Sequence, residues 1–590
     1  MSRTMKLFSI LTTFTMAGAA RADLTPEWIT RLPVGSSLYA GIAGMVVDPA
    51  GVSYVTGIRG PSSNTDILTA AIAPDGSLLW SHVFNGPQNS YDQARGITLS
   101  PGGSVFVTGN TAGQGSYANV LVLEYDAASG ALLNTIQYSS GPFTSEHGAS
   151  VATDALGDIY VAGGTVGDGA DAMILKFDAA GTFQWKRTWD GPAAAPYSQD
   201  HALEVLVDAN GDPLVLIHGV MASLHPDYVV LKYAAGDGAL LWQAVWGLNG
   251  EDQPRDMEID ATGDVYVTGT GLDFNDKLST IKLRGTDGGL LWQAYDHAGI
   301  DDRGRAVTLD GQGGVYITGS VDFDGDESNF NDDIYTVKRD AAGGALVWTH
   351  LYGAPCIGCF DVPSDVVVDA SGHVFVGGAT SSPPYSADMI TLVLDTGTGA
   401  ETERGVISGA PAETAGVGIM ELDAGSDLLE GGRFYDANTG AVDISIVKYR
   451  RIDPTYTSYC TSAPNSMGAG AVIGASGSTS VSGNDFTLDV TAAAASQVGL
   501  FYYGPNQIEI PFGNGYRCVG GGAFRLGPPL STDPAGFATR WLDFTQPPAN
   551  GGPGAILAGS HWNFQFWYRD PAAGGASFNL SDGLSVDFLP

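Results

Sequence analysis

Positive charge and long apolar runs are both scarce in this chain. Of its 590 residues only 27 are Lys or Arg, against 64 Asp or Glu, which gives a formal net charge of −37. Nucleic acids and anionic membrane surfaces are bound by clustered Lys and Arg, so this balance disfavours both classes of partner. No apolar run reaches the roughly 20 residues that a membrane-spanning helix needs, so no transmembrane segment is predicted in the mature chain.

The N-terminus has the pattern of a secretion signal. Arg3 and Lys6 form a positive start, residues 7–16 are apolar, and Ala20-Arg21-Ala22 offers a small-x-small cleavage site. We therefore predict a signal peptide over 1–22 and a secreted, extracellular or cell-surface protein.

Cysteine is also rare. The chain has four Cys, and an even number in an exported protein predicts two disulfides. Cys356 and Cys359 form one C-x-x-C in a Gly/Pro loop, which favours a loop staple over a zinc or redox site, because a Cys-only zinc site needs two such pairs. The other two, Cys460 and Cys518, are predicted to tie together the C-terminal region.

A unit repeated eight times organises most of the chain. Each unit has a strand of the form Y-V-T-G, as in GVSYVTG (51–57), GDIYVAG (157–163) and GDVYVTG (263–269). A further strand begins near an acidic residue, and most units end in a strand that contains Trp. The marker positions lie 50 to 56 residues apart. Six of them are acidic, Asp66, Asp171, Asp227, Asp333, Asp388 and Asp443, and two are variants, Asn119 and Lys277.

Four short strands per unit at this period predict a propeller blade, since a β-helix solenoid has a much shorter repeat. The fold class is therefore all-β, with an eight-bladed β-propeller over 23–453. Seven blades is the alternative if the weak eighth unit packs differently. That unit lacks its Trp strand, and we predict that residues 27–32 (EWITRL) supply it, so that Trp28 completes the last blade.

The repeated residues have structural explanations. A Trp that recurs once per blade is interpreted as packing between blades, and the recurring Asp as an acceptor for backbone N–H groups at a turn. The Gly after Y-V-T is interpreted as a site of bending or close backbone approach.

On these motifs the region 28–450 resembles the bacterial propeller repeats called SBBP repeats. GDIYVAG, GDVYVTG and GGVYITG are each followed by D-x-x-x-x-K and a later G-x-x-x-W. The resemblance implies an exported or surface protein and implies little about chemistry.

Residues 454–590 show no blade repeat and are predicted to form a β-sandwich. Segments such as GLFYYGPNQIEIPFGNGYRCVGG and HWNFQFWYRDP resemble a C-terminal module attached to exported proteins of planctomycete-like bacteria. The resemblance implies an accessory or surface-attachment role. Alternation places Trp562, Phe564 and Phe566 on one face, which favours a core over a sugar-stacking platform.

One loop has the spacing of calcium ligands. Asp322, Asp324 and Asp326 stand at i, i+2 and i+4, with Asp333 nearby, and calcium takes six to eight oxygen ligands. The loop is not an EF-hand, because Gly325 precedes the third Asp and no Glu follows at the twelfth position. A structural calcium site and a solvated acidic loop are both open interpretations.

No catalytic motif of the classes H-E-x-x-H or G-x-S-x-G occurs. The blades also resemble the docking repeats of quinoprotein dehydrogenases, in segments such as FDAAGTFQW (177–185) and RDAAGGALVW (339–348). We predict a non-catalytic exported propeller that binds an extracellular protein or glycan, for adhesion or scaffolding. The alternatives are a quinoprotein oxidoreductase that uses pyrroloquinoline quinone (PQQ) and a carbohydrate-active enzyme.

Overall fold

The computed structural model describes residues 22–588 with short internal gaps. The gaps are residues 25, 34–38, 62–63, 114–116, 142, 167–170, 193–199, 222–224, 249, 273–275, 297, 300, 323–331, 354–359, 383–385, 408–412, 437–440, 450–455, 477–478, 480, 482–483 and 485. The chain divides into two compact units, Met1–Arg450 and Arg451–Pro590.

The first unit consists of short strands. In chain order they are β1 (Ala22–Asp23), β2 (Trp28–Pro33), β3 (Tyr39–Val47), β4 (Ser53–Gly60), β5 (Asp66–Ile72), β6 (Leu78–Phe84), β7 (Gln93–Leu99), β8 (Ser104–Ala112), β9 (Ala118–Asp126), β10 (Leu132–Tyr138), β11 (Ser145–Thr153), β12 (Ile159–Val166), β13 (Ala172–Phe177), β14 (Phe183–Trp189), β15 (His201–Val207), β16 (Pro213–Val220), β17 (Pro226–Tyr233), β18 (Leu240–Trp246), β19 (Gln253–Ile259), β20 (Val265–Leu272), β21 (Asp276–Leu283), β22 (Leu290–Asp296), β23 (Arg303–Leu309), β24 (Gly314–Asp322), β25 (Asp332–Asp340), β26 (Leu346–Tyr352), β27 (Asp361–Val368), β28 (His373–Ser382), β29 (Ser386–Asp395), β30 (Glu401–Ile407), β31 (Glu413–Leu422), β32 (Leu428–Asp436) and β33 (Ala441–Tyr449).

These strands form eight four-stranded antiparallel sheets within the described residues, which confirms the predicted eight blades. Blades 1 to 7 each use four consecutive strands, from β3–β6 in blade 1 to β27–β30 in blade 7, and the short β1 pairs in parallel with β30. Blade 8 consists of β31, β32 and β33, with β2 as its fourth strand. In that pairing Trp28 lies opposite Lys448. The unit is an all-β, eight-bladed β-propeller.

Six blades turn between their first two strands at a D-x-x-G segment, whereas blade 2 has Ser100 in place of the Asp and blade 8 has Ser426 in place of the Gly. In blade 1, Asp48 accepts hydrogen bonds from the backbone N–H groups of Ala50 and Val52, both at 2.9 Å, as the sequence pattern predicts for a turn Asp. Gly51 has a φ of +80°, a backbone conformation that Gly adopts without steric cost.

The recurring Trp connects one blade to the next, as predicted. In blade 4, Trp242 Nε1 and Lys232 Nζ both donate to the carbonyl oxygen of Gly285 in blade 5, at 3.0 and 3.2 Å. The Trp242 ring also covers Gly288, where an added Cβ would lie 2.7 Å from the ring. A Lys and a Trp also donate to one shared carbonyl oxygen at the next two contacts between blades. The donors there are Lys282 with Trp292 and Lys338 with Trp348.

The first strands of the blades lie side by side around the axis of the propeller. Each contacts the first strands of neighbouring blades, and β3 contacts both β7 and β31. Blades 1 and 8 also share a hydrophobic cluster, which includes Met45, Leu68, Leu429 and Ile444. The first strands therefore line a central channel, while the outer strands meet solvent.

The second unit has its own strands. They are β34 (Tyr456–Tyr459), β35 (Val472–Ser476), β36 (Thr487–Thr491), β37 (Val498–Gly504), β38 (Asn506–Phe512), β39 (Gly515–Gly520), β40 (Phe524–Arg525), β41 (Leu530–Ser531), β42 (Ala538–Trp541), β43 (His561–Arg569) and β44 (Phe578–Asp587), with short 3-10 helices at Gly552–Gly554 and Pro571–Ala573.

One sheet of this unit has the order β34-β44-β43-β37-β40, and a second has the order β35-β36-β42. Both sheets contribute to one core, in which Phe486, Phe501, Phe564 and Phe566 are fully buried. Trp562 belongs to the same core, as its alternation with Phe564 and Phe566 predicted. The predicted disulfide is present, with an S–S distance of 2.03 Å between Cys460 and Cys518.

Candidate functional site

A β-bulge sits at the same place in every first strand of the propeller. In blade 5 the pairing of β19 with β20 shifts between Pro254 and Asp256, so that Arg255 is the extra residue. A bulge shifts the alternation of side chains by one position, so residues before and after it share a face of the strand. The extra residues in blades 1 to 8 are Ala43, Arg95, Ala149, Leu203, Arg255, Arg305, Ser364 and Gly418.

The bulge brings two kinds of polar side chain to the channel. Within blade 5, Arg255 and the adjacent Asp256 both line the channel, whereas Met257 is buried in the core with 1% of its surface exposed. Across the blades, the basic residues form a set that we call the basic arc, consisting of Arg95, His147, His201, Arg255 and Arg305. The acidic residues form the acidic tier, consisting of Glu204, Asp256, Glu258, Asp365 and Glu421.

The basic arc runs from blade 2 to blade 6 as a set of mutually interacting groups. Burial, followed by the charge of Arg95, lowers the pKa of His147 to about 4. The His147 and His201 rings lie 6.5 Å apart, and burial lowers the pKa of His201 as well. At neutral pH these imidazoles are uncharged, so the positive charge of the arc belongs to its arginines.

Two arginines of the arc donate to amide oxygens rather than to carboxylates. Arg95 Nη2 and Arg255 Nη2 donate instead to the side-chain oxygens of Gln93 and Gln253, at 2.9 and 3.0 Å. Burial, followed by the like charge of Arg255, lowers the pKa of Arg305. The charge of the Asp332 carboxylate acts in the opposite direction on Arg305. Among the described residues, no carboxylate accepts a hydrogen bond from Arg95 or Arg255.

Burial raises the pKa of every carboxyl group in the acidic tier. Burial raises the pKa of Glu258 to about 7, with a smaller effect of the Asp365 charge, and raises that of Glu421 to about 8 with help from Asp365 and Glu258. Burial also raises the pKa of Asp365 to about 6. The pKa values of Glu204 and Asp256 are raised for the same reasons, burial and neighbouring carboxyls.

Three carboxylates of the tier also hold neighbouring first strands together. Glu204 accepts from the backbone N–H of Met257 at 3.0 Å, Asp256 from that of Val307 at 2.7 Å, and Asp365 from that of Met420 at 2.8 Å. Each of these bonds runs from one blade to a following blade, so the three residues have a structural role. Glu258 and Glu421 take part in no such bond between blades within the described residues.

Beside Arg95 the channel wall has a recess. The cavity has a volume of about 320 Å³ and is lined by Gly41, Ile42, Ala43, Ile58, Gln93, Ala94, Arg95 and Ala149. The wall is open here because the bulge residue is Ala in blades 1 and 3, where blades 5 and 6 have Arg. A Cβ added to Gly41 would have no neighbour within 4 Å, which marks open space.

The structure describes only some of the sequence-predicted site residues. Of the calcium loop, Asp324 and Asp326 lie outside the described residues, as do Cys356 and Cys359 of the predicted staple. Asp322 ends β24, and Asp333 lies in β25 opposite Val321. Within the described part of the chain, no group of three or more His, Cys, Asp or Glu is close enough to hold a metal ion. The calcium loop therefore stays a prediction.

The marker acids of the third strands lie near acids of the next blade. In blade 4, burial and the nearby Asp252 of blade 5 raise the pKa of Asp227 to about 6. Asp252 itself accepts from the backbone N–H groups of Leu248 and Leu272, at 2.5 and 2.8 Å. Its role is to hold the loop between two blades.

Sequence reasoning missed both channel sets. Strict alternation places Arg255 and Asp256 on opposite faces, so neither set is visible without the bulge. A signal was available in the Gly after Y-V-T, since an isolated Gly in a strand often marks a bulge. A Cβ on Gly269 would overlap the carbonyl oxygen of Gln253, on the strand that carries the bulge.

The described residues contain no helix that is both long and apolar enough to cross a membrane.

No family model and no curated protein matches the sequence. Among solved structures, the chain is similar to the quinohemoprotein alcohol dehydrogenase from Comamonas testosteroni, at 13% identity and a TM-score of 0.44 over 72% of this chain and 76% of that one. It is also similar to a europium-containing methanol dehydrogenase, at 12% identity and a TM-score of 0.47 over 72% of this chain and 93% of that one. A third similar structure is the β-propeller domain of the Trilobed protease from Pyrococcus furiosus, at 8% identity and a TM-score of 0.34 over 60% of this chain and 95% of that one. Similarity at this level says nothing about what the chain binds.

Proposed function

We propose that this chain is an exported binding protein whose propeller channel takes an extracellular ligand, in adhesion or scaffolding at the cell exterior. The observation that carries the proposal is the recess beside Arg95, which is bordered by a guanidinium group that donates to the Gln93 side chain and, among the described residues, to no carboxylate. Arg95 is exposed, so its guanidinium donors are accessible to a ligand, and convergent polar groups in a concavity are the usual form of a binding site.

Export is part of the same proposal and rests on the N-terminal pattern over 1–22. N-terminal sequencing of the protein recovered from the culture medium and from the cell surface tests it. A mature chain that begins at Asp23 is the expected result, whereas an intact N-terminus in a purely intracellular protein would contradict it.

The binding proposal is tested by a thermal-melt screen of residues 23–590. The panel contains polysaccharides, extracellular protein extracts, PQQ, calcium and EDTA, because anything that binds only the folded state raises Tm by mass action. We expect a rise with a polysaccharide or a protein, and we expect Gly41→Leu to abolish it by filling the recess. Arg284→Gln, which removes an exposed arginine outside the channel, is the matched control.

A carbohydrate-active enzyme is the second candidate, and the acidic tier is the observation that favours it. Glu258 and Glu421 stand on blades 5 and 8 with pKa values of about 7 and 8, in the range of general acids. Release of reducing ends from a bound polysaccharide that is lost in Glu421→Gln would establish this function. A Tm rise with PQQ would instead favour the quinoprotein alternative.

Calcium binding is proposed for the loop that contains Asp322, Asp324, Asp326 and Asp333. The spacing of its carboxylates supports the proposal. EDTA is expected to lower Tm in the parent chain and to leave Tm unchanged in Asp324→Asn/Asp326→Asn. A parent chain indifferent to EDTA would exclude a structural calcium.

A further inference from the structure

We propose that the recess beside Arg95 binds the oxyanion of an acidic saccharide. The inference rests on the proposed binding function and narrows it to one ligand chemistry, a carboxylate or sulfate group carried on a hydroxylated sugar ring. Three features of the channel support this inference. They are the space in the channel wall, the positive charge of Arg95 and the imidazoles of His147 and His201.

The space is created by small residues at positions where other blades carry large ones. Gly41 and Ala43 come from blade 1 and Ala149 from blade 3, on either side of Arg95 in blade 2. The resulting cavity of about 320 Å³ has the size of a site for one or two sugar rings. Ile42 and Ile58 also border it, so apolar side chains and the Arg95 cation share its lining.

The charge of Arg95 is poorly compensated within the protein. Arg95 is exposed and donates to the neutral Gln93 side chain, and the protein around it lowers its pKa. Arg305 lies outside the recess, and there the Asp332 carboxylate partly offsets the charge. A guanidinium presents its donors in a planar fork that matches the two oxygens of a carboxylate or sulfate, so an incoming oxyanion supplies what the protein does not.

The neighbouring groups fit hydroxyls better than further charge. His147 and His201 are uncharged at neutral pH, and a neutral imidazole has one donor and one acceptor nitrogen. A sugar hydroxyl also both donates and accepts. An oxyanion on Arg95 with hydroxyls on the two imidazoles therefore uses every group of this part of the arc.

The net charge of the chain makes such binding selective. At −37 the molecule repels anions at long range, so non-specific attraction of a polyanion is weak. Binding of an acidic saccharide must then come from a local site, which makes single substitutions in the recess informative.

The test is calorimetric titration of residues 23–590 with four polymers. Polygalacturonate carries carboxylates, dextran sulfate carries sulfates, dextran is the neutral saccharide and poly-glutamate is the acidic peptide. We expect binding of polygalacturonate or dextran sulfate, and the stronger of the two identifies the oxyanion. Arg95→Gln and Gly41→Leu are each expected to weaken that binding at least tenfold. Arg95→Lys, which keeps the charge without the fork, should weaken it less, and Arg284→Gln should leave it unchanged.

The outcomes separate this inference from the proposed function. If dextran binds as well as the charged polymers, and Gly41→Leu blocks it while Arg95→Gln does not, the channel is a binding site but not for an oxyanion. If poly-glutamate binds best, the ligand is an acidic peptide and the saccharide inference is wrong. If no polymer binds and no member of the wider screen responds to Gly41→Leu, both proposals fail. Thermal melts of each variant establish that it is folded.

Discussion

At the scale of single residues, the seam between blades depends on a Gly beneath each Trp. Gly238 in blade 4 has a φ of +69°, and an added Cβ would lie 2.8 Å from the Trp185 ring of blade 3. We expect Gly238→Ala to be strongly destabilising, because it adds a steric conflict with the ring to the cost of a left-handed backbone for Ala, in total ~3 kcal/mol. Urea denaturation of the propeller unit, followed by Trp fluorescence, measures the loss.

Gly263 is the matched control for this prediction. Its φ is +86°, and an added Cβ would have no neighbour within 4 Å. Gly263→Ala therefore carries only the backbone cost of about 1 kcal/mol. Equal losses in the two variants would show that the ring contact contributes nothing.

The structural role of a single residue could be predicted from the sequence where that role recurs from unit to unit of the repeat. The Trp residues recur in the repeat, and their interpretation as packing between blades is confirmed. The Gly after Y-V-T was correctly interpreted as a point of close approach, but its partner was not identified. Arg255 and Asp256 could not be recognised, because their meeting on one face depends on a bulge, and alternation assumes that none is present.

At the scale of elements, a buried ion pair connects a strand, a turn and the next blade. Lys232 Nζ lies 2.7 Å from Asp208 Oδ2, and both side chains are less than 10% exposed. The same ammonium donates to the carbonyl oxygen of Gly285 across the seam. The pKa of Asp208 is lowered despite burial, because Lys232 and backbone N–H groups stabilise its charged form.

Lys232→Met is expected to cost ~3 kcal/mol, because it leaves the Asp208 carboxylate buried without its cation. The exposed pair Arg284–Asp287, at 2.9 Å, is the control, and Arg284→Gln is expected to cost less than about 1 kcal/mol. Urea denaturation at pH 7 compares the two variants. If Lys232→Met lost no more than Arg284→Gln, the seam would not depend on this ion pair.

Element boundaries show what the repeat could and could not predict. The recurrent motifs predicted four strands per blade and eight blades, because each hydrophobic run ends at a Gly or Asp turn. They did not predict β1, whose two residues pair in parallel with β30 without any motif of the repeat. The second unit has no internal repeat, so its strand order could not be derived from the sequence, although the burial of Phe564 and Phe566 could.

At the scale of the whole molecule, eight equivalent first strands produce a channel whose halves differ. The wall carries arginines in blades 2, 5 and 6, small residues in blades 1 and 3, and carboxyls in blades 4, 5, 7 and 8. No single unit contains this arrangement, and only the circular order of the units brings the residues together. A repeat therefore predicts the framework of such a protein well and its site poorly, because the site consists of the positions at which the units differ.

The acidic tier gives the whole propeller a pH-dependent stability. The pKa values of Asp365, Glu258 and Glu421 are about 6, 7 and 8 in the folded chain, above the ordinary values of 3.8 and 4.5. Between pH 4.5 and 8 these three groups therefore bind more protons in the folded state than in the unfolded state, so their contribution to stability falls as pH rises and levels off above that range. Asp208, whose pKa is lowered, acts in the opposite direction at lower pH. The imidazoles of His147 and His218, whose pKa values burial lowers from 6.5 to about 4, oppose the tier only below about pH 6.5.

We therefore expect the Tm of the propeller unit to fall as pH is raised from 6 to 9 at constant ionic strength. Glu258→Gln/Glu421→Gln should flatten this dependence, since an amide keeps the shape of the protonated carboxyl and does not ionise. Glu251→Gln, in an exposed loop of the same propeller, should retain the slope of the parent. A parent Tm that rises over this range would show that the tier is ionised in the folded state, with its charge compensated from elsewhere. Retention of the parent slope in the double variant would place the titrating groups outside Glu258 and Glu421.

Because ionisation of the tier adds negative charge to the channel that contains the basic arc, raising the pH from 6 to 9 should also weaken the binding of an oxyanion beside Arg95.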